Sequence, residues 1–258
     1  MVWVYEQRAR PAALERVLPT GAAQLVVNLA EDATRTYDPD RGFACVEAPG
    51  SILTGPSSRY QVIDTAEQEF VAGVVFCPGG TAAFTPVPTH EIVDVDVALD
   101  DLWGGRLGSQ LRARVLEQTD VDRQLDAIEA VLRERCHPRA GHPAVRFALA
   151  ELQRSPHLAS ISRVTEASGL SATRLIEHFK RDVGLTPKRY CSVLRFQRAL
   201  RHAHRGRRVD WTQVALDCGY YDQAHFIHAF RRFAGVTPSA YEGGRTPFQN
   251  HVTLDRHA

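Results

Sequence analysis

A twelve-residue pattern occurs twice in this chain, 51 positions apart. Residues 179–190 read FKRDVGLTPKRY and residues 230–241 read FRRFAGVTPSAY. Phe, a basic residue, Arg, Gly, Thr, Pro and Tyr fall at matching places, an agreement at seven of twelve positions. A repeat this close restricts the chain to two copies of one short supersecondary unit inside a compact domain. Each copy describes a helix that stops and a new helix that starts. Leu175 with Phe179, and Phe226 with Phe230, form i, i+4 pairs that mark a buried helix face. Gly184 and Gly235 suit the left-handed residue that closes a helix. Thr186-Pro187 and Thr237-Pro238 then supply a cap and a preset first helical residue.

The segments before each copy complete the unit. Residues 160–171 precede the first and residues 210–220 the second, each reading as a short helix and a turn containing glycine. Asp210 with Gln213 has capping-box spacing. Ser171 and Asp222 stand where caps of the longer helices belong. A short helix, a glycine turn and a longer helix make the helix-turn-helix pattern, whose second helix enters the DNA major groove.

On these residues the sequence resembles the AraC/XylS family of bacterial transcription regulators. The likeness is carried by GLSATRLIEHFKRDVGLTPKRY, by RFQRAL at 195–200 and by VALDCGYYDQAHFIHAFRRFAGVTPSAY, and it covers residues 146–245. It implies two helix-turn-helix units joined by one long helix over Pro187 to His204. Such a pair would read two successive major-groove faces about 34 Å apart. The likeness also places Thr173, Ile176 and Glu177 of the first reading helix toward the bases, and Gln223, Ala224, His225, Ile227 and His228 of the second. Gln can bond adenine twice and Glu can accept from cytosine N4. Arg181, Lys188, Arg195, Arg231 and Arg232 are candidate phosphate contacts, beside the amides at the helix N-termini. Three positions depart from the family pattern: Glu177 and His228 replace Arg, and Thr165 replaces Ala. An acid facing phosphate weakens the first head, so the second is expected to carry most specificity.

Charge divides the chain in the same place. Residues 141–258 hold 18 Lys/Arg against 9 Asp/Glu, whereas residues 1–140 hold 13 against 21. A basic half beside an acidic half indicates a nucleic-acid module joined to something else. The acidic half shows short β-rich runs at 24–28, 60–64, 70–76 and 92–99, separated by turn signals such as Pro78-Gly79-Gly80. Even spacing of short strands predicts a small antiparallel barrel or sandwich. LPTGAAQLVVNL, VVFCPGGTAAF and LDDLWG resemble the cupin-like sensor domain that precedes some AraC-type domains, with Thr20 where such sequences carry an acid. Two helices are expected at 107–118 and 122–136, the second with a stripe of Leu125, Ile128, Val131 and Leu132.

The expected fold class is therefore α+β in two domains, a cupin-like β-barrel or sandwich with helices followed by an all-α domain. The expected organisation is an effector-sensing and dimerisation domain over 1–136, a linker over 137–145, the DNA-binding domain over 146–245 and a tail over 246–258. Five scattered cysteines without a CxxC suggest reduced structural thiols, and no apolar run resembles a leader or a membrane span. A cytoplasmic protein is expected. A cupin metal centre needs several His, and residues 1–105 contain only His90, so neither metal nor cofactor is expected. GxSxG, P-loop and HExxH patterns are absent, and no enzymatic activity is expected. The expected partners are double-stranded DNA, a small-molecule effector, RNA polymerase and a second copy of the chain. The rival readings are a constitutive DNA binder whose first domain only dimerises, and a catalytic cupin carrying a DNA-binding tail. His202, His204, His225, His228 and His251 are expected on DNA-facing or exposed surface.

Overall fold

A computed structural model describes residues 1–6, 13–137, 141–154, 156, 161–205 and 209–254. Residues 138–140 of the expected linker, Ser160 and residues 255–258 of the expected tail lie outside this set. The N-terminal half contains β1 (Val2–Glu6), β2 (Leu14–Val17), β3 (Gln24–Asn28), β4 (Ala33–Asp38), β5 (Ala44–Pro49), β6 (Ser51–Thr54), β7 (Gln61–Asp64), β8 (Phe70–Val75) and β9 (Asp96–Ala98). Helices α1 (Leu99–Trp103), α2 (Leu107–Leu116) and α3 (Val121–Arg135) follow. The remainder is helical: α4 (Pro143–Arg154), α5 (Ile161–Ser168), α6 (Ala172–Val183), α7 (Pro187–Arg205), α8 (Trp211–Asp217), α9 (Gln223–Ala234) and α10 (Pro238–Gly244). A last strand, β10 (His251–Thr253), returns the chain to its start.

The strands form a five-stranded sheet in the order β1-β8-β3-β6-β9, a three-stranded sheet β10-β2-β7 and the hairpin β4-β5. β3 is central, with Leu25 opposite Leu53 on one side and Val74 on the other. All three are fully buried, so cross-strand packing of branched side chains holds this register. Together with Leu99, Leu111, Val115 and Ile128 of α1–α3 they form one core. Of the expected antiparallel barrel or sandwich, the antiparallel sheets are present, and among the described residues they do not close into a barrel. β10 takes the edge of β2, with Val252 opposite Arg16, so β2 and β7 pair outside the larger sheet. A cavity of about 180 Å³ remains between the sheets, lined by Val26 and Val71 of one and Val17 and Ile63 of the other.

The alternating run at 92–99 is broken where a strand was expected. Thr89–Ile92 is a 3₁₀ turn and Asp94 adopts φ 57°, which leaves only three residues to pair as β9. The left-handed Asp94 aims its carboxylate at Ser58, accepting from its N–H at 2.6 Å and its Oγ–H at 2.7 Å. Asp tolerates this conformation better than a branched residue, and these bonds compensate it locally. Alternation does not track burial here, since Val95 is exposed while Asp94 and Asp96 are half-buried, and it could not record a bond to a residue 36 positions away.

A second core runs through α4 to α10 and extends past them to Leu18 and Val252 of the N-terminal strands and the returning tail. The two halves thus share packing. Gln197 of α7 donates to Pro19 O at 2.8 Å and to Asn250 Oδ1 at 3.0 Å, joining the long helix to both ends of the chain. Within the described part of the expected tail, His251–Thr253 form the strand β10.

Candidate nucleic-acid interface

Both repeat copies fold as the capping residues dictate. Ser171 Oγ accepts from Arg174 N–H at 3.3 Å to start α6, and Asp222 Oδ1 accepts from His225 N–H at 2.7 Å to start α9. Asp210 accepts from the N–H groups of Thr212 and Gln213 at 3.0 and 3.1 Å to start α8. The reciprocal half of that capping box is missing, because the Gln213 amide donates forward to Asp217 at 2.9 Å. Thr186 and Thr237 cap α7 and α10 through bonds to Arg189 N–H and Ala240 N–H. Gly184 and Gly235, at φ 91° and 69°, return their N–H groups to the carbonyls of Lys180 and Arg231.

Aromatic packing holds the second unit to the long helix. Phe230 meets Phe196, Trp211, Phe226 and Tyr241 with ring centroids 5.2–5.7 Å apart, in edge-to-face geometries. In the first unit Leu175, Phe179 and Val183 are buried, and Phe179 lies 5.8 Å from the Tyr190 ring. Burying one face of each helix fixes which residues are left outside. On α6 these include Ala172, Thr173, Ile176, Glu177 and Lys180, with Ile176 37% exposed. On α9, Gln223, Ala224, His225 and His228 are exposed. Ile227 is different: it is half-buried and packs against the helical core.

The cations fall into two groups. Arg181, Lys188, Arg231 and Arg232 are exposed near the ends of the two reading helices. Arg181 lies 3.9 Å from Asp182, a loose pair that leaves its head in solvent. Arg195, expected on a phosphate, instead braces the second unit. It donates to Gly219 O at 3.1 Å and lies over the Tyr220 ring at 5.3 Å. Two exposed side chains escaped the sequence reading. Arg174 sits on the first turn of α6, hidden because its neighbour Leu175 is core. Tyr221 is 89% exposed beside the buried Tyr220. Two adjacent tyrosines in a glycine turn were the available signal, since both cannot face the core.

The glycines that close the two reading helices are also where the N-terminal half approaches. A Cβ on Gly184 would stand 2.9 Å from Pro56 Cγ and 3.2 Å from Thr89 O. One on Gly235 would stand 2.6 Å from Tyr60 Cε1 and 3.0 Å from Arg16 Nε. Between them, Arg189 donates to Ser58 O at 2.8 Å and lies over the Phe233 ring at 5.3 Å. Burial, and then the nearby Arg232, hold the Arg189 guanidinium below its ordinary pKa, and Asp94 opposes that shift. Segment 56–60 therefore touches both units, through Pro56, Ser58 and Tyr60. Among the described residues, no three His, Cys, Asp or Glu side chains gather where a metal ion could sit. No described helix is long and apolar enough to cross a membrane.

Two families match the chain. One, described as "Helix-turn-helix domain", matches residues 164–243. The other, a domain of unknown function designated DUF6597, matches residues 1–98. The HTH-type transcriptional activator RhaS of Escherichia coli (strain SE11) is 38% identical over 85 residues, which are 33% of this chain and 30% of RhaS. The chain thus matches less than a third of the length of this relative. Among solved structures, an apo ToxT variant from Vibrio cholerae strain SCE256 superposes with a TM-score of 0.52 at 8% identity, over 95% of this chain and 97% of that one. It shares the fold of both halves. An AraC-type transcriptional regulator from Chromobacterium violaceum superposes with a TM-score of 0.37 at 24% identity, over 40% of this chain and 93% of its own. With two helix-turn-helix units, a long joining helix and the match over residues 164–243, the C-terminal half of this chain is a helix-turn-helix domain of the AraC type.

Proposed function

We propose that this protein is a sequence-specific DNA-binding transcription regulator whose two heads read successive major-groove segments of one duplex. The carrying observation is the pair of capped helices α6 and α9, each with an apolar face buried and a polar face in solvent. Thr173, Ile176 and Glu177 read through the first head. Gln223, Ala224, His225 and His228 read through the second, and Ile227 sets the depth of α9 from its half-buried position. A good bidentate contact to a base edge discriminates by about 1–3 kcal/mol. Arg181, Lys188, Arg231 and Arg232 anchor phosphates, joined by Arg174 and the exposed Tyr221.

The N-terminal half modulates this binding in response to a small molecule. A ligand shifts such an equilibrium only by binding two arrangements of the halves with different affinity. The contacts of segment 56–60 with both heads supply a route for that difference. RNA polymerase and a second copy of the chain are the further partners of this reading. Selection from random duplex DNA by the full-length protein tests the central part. An enriched motif supports it; salt-sensitive binding with no enriched sequence overturns it.

A further inference from the structure

The loop between β6 and β7 is built unlike most connecting segments. Such segments run over the surface, whereas here Pro56 and Ser58 are buried and lie against the helical half. Its backbone is bonded to the rest of the N-terminal half. Gly55 N–H donates to Val95 O at 2.9 Å, and Ser57 O accepts from Gly21 N–H at 3.2 Å. Asp94 holds a left-handed backbone, φ 57°, that a non-glycine residue rarely takes, and its carboxylate bonds both donors of Ser58.

This strap reaches both heads. At one end Pro56 packs against Gly184, which closes α6, and Thr89 Oγ donates to Asp182 O of the same helix at 3.2 Å. At the other end Tyr60 packs against Gly235, which closes α9. The Arg16 guanidinium over the Tyr60 ring comes from β2, whose far edge carries β10. There His251, expected on DNA-facing or exposed surface, bonds Glu15 through Nδ1 at 3.0 Å. In the middle, Ser58 meets Arg189 on the first turn of α7. The guanidinium donates to Ser58 O at 2.8 Å and to Ser58 Oγ at 3.3 Å, and it lies over Phe233 of α9. The two reading helices are thus joined by the strap as well as by α7.

Moving two half-sites apart by one base pair shifts them about 3.4 Å along the duplex and turns them about 34° around it. A lone helix can curve toward such a demand. A helix closed by a bonded strap is a frame, and it must break contacts at Gly184 or Gly235 to follow. We propose that segment 56–60 fixes the separation of the two heads and so sets the half-site spacing that the protein accepts, an inference that rests on the two-head reading above. Asp94 is the positioning residue, holding Ser58 against Arg189. Part of the sequence specificity then belongs to the N-terminal half, and loss of the strap leaves the base preference of each head intact.

Two variants weaken the strap. Asp94→Gly keeps the left-handed backbone, which glycine adopts freely, and removes the carboxylate. Tyr60→Ala removes the ring at Gly235. Fluorescence anisotropy of the full-length protein, at one salt concentration, compares the duplex selected by the wild type with duplexes whose patches stand one base pair closer or farther. The wild type should lose at least about thirtyfold in affinity on either shifted duplex, and each variant less than about fivefold. A general loss of stability weakens all three duplexes alike, so the ratio isolates spacing. A wild type that tolerates the shift, or a penalty unchanged in both variants, would overturn the proposal. Spin labels on keto amino acids at the exposed positions 177 and 228 give a readout without DNA. Pulsed dipolar EPR should find one narrow distance in the wild-type background and a broader distribution in both variants; equal widths would overturn the proposal as well. Broadening in the variants, where the wild type selects no paired motif, would sink the two-head reading alone. A paired motif with unchanged width and unchanged penalty would sink the strap alone.

Discussion

Replacing Gly235 with Ala separates backbone strain from contact between the two halves. Gly235 closes α9 at φ 69°, where an L-residue costs about 1–2 kcal/mol. The added Cβ would also stand 2.6 Å from Tyr60 Cε1, closer than carbon atoms approach. Tyr60 cannot simply swing away, because the Arg16 guanidinium lies 5.5 Å from its ring centroid on a neighbouring strand. Overpacking of this kind costs about a further 1–3 kcal/mol. Gly169 provides the control. It has the same φ of 69° in the turn of the first unit, and a Cβ there meets nothing within 4 Å. Gly169→Ala should therefore cost only the backbone part, and the difference between the variants measures the contact with Tyr60. At about 2–4 °C per kcal/mol for a chain of this size, Gly235→Ala should melt roughly 2–12 °C below Gly169→Ala. Differential scanning calorimetry of both variants, with Tyr60→Ala added to each, completes the cycle. Tyr60→Ala, whose own cost falls on both variants alike, should shrink the difference between them. Equal melting temperatures in the two single variants would refute the reasoning, because they would mean that the halves do not meet at Gly235.

Other expectations follow from particular contacts. Asp210→Ala removes the acceptor of two N–H groups at the start of α8 and should cost about 0.5–2 kcal/mol in a urea titration. Arg189→Ala breaks the bond to Ser58 O and should cost about 1.5–3 kcal/mol by the same titration; Arg195→Ala should destabilise the second unit more than Lys188→Ala, since only Arg195 braces a carbonyl and a ring. Burial pushes the Cys218 thiol up to about 11, so its thiolate is scarce at pH 8. Titration with Ellman's reagent should show Cys45, Cys77 and Cys136 reacting fast, and the buried Cys191 and Cys218 reacting only as the protein opens. Glu177→Ala should tighten binding to unselected duplex by about 1 kcal/mol by removing an exposed acid from the proposed DNA-reading face of α6, as anisotropy would register.

What was legible in the sequence was what local chemistry encodes. The caps Ser171, Asp210 and Asp222 and the closing glycines 184 and 235 mark helix ends by bonds to near neighbours, and all five hold. β3 was legible because it carries an apolar run, whereas α7 was expected over Pro187 to His204 from the family resemblance and runs Pro187–Arg205. The strand expected at 92–99 was not, since Asp94 answers to Ser58, a partner distant in sequence. β10 escaped for the same reason: three residues have no pattern of their own, and their strand exists only because β2 offers an edge. At the candidate interface, the i, i+4 pair marked Phe226 and Phe230 as buried, and the family resemblance put Gln223, His225 and His228 on the other side, where they are exposed. The resemblance also put Ile227 and Arg195 toward DNA; Ile227 packs against the core and Arg195 reaches Gly219, contacts that depend on neighbouring elements.

The central claim is that two heads read two separate patches of one duplex. Its most direct test is selection from random DNA by the wild type and by Gln223→Ala, side by side at equal salt. Two enriched patches about one helical turn apart are predicted for the wild type. The variant should relax preference at one patch and keep the other intact. A single patch in the wild type, or equal relaxation of both patches in the variant, would contradict the account.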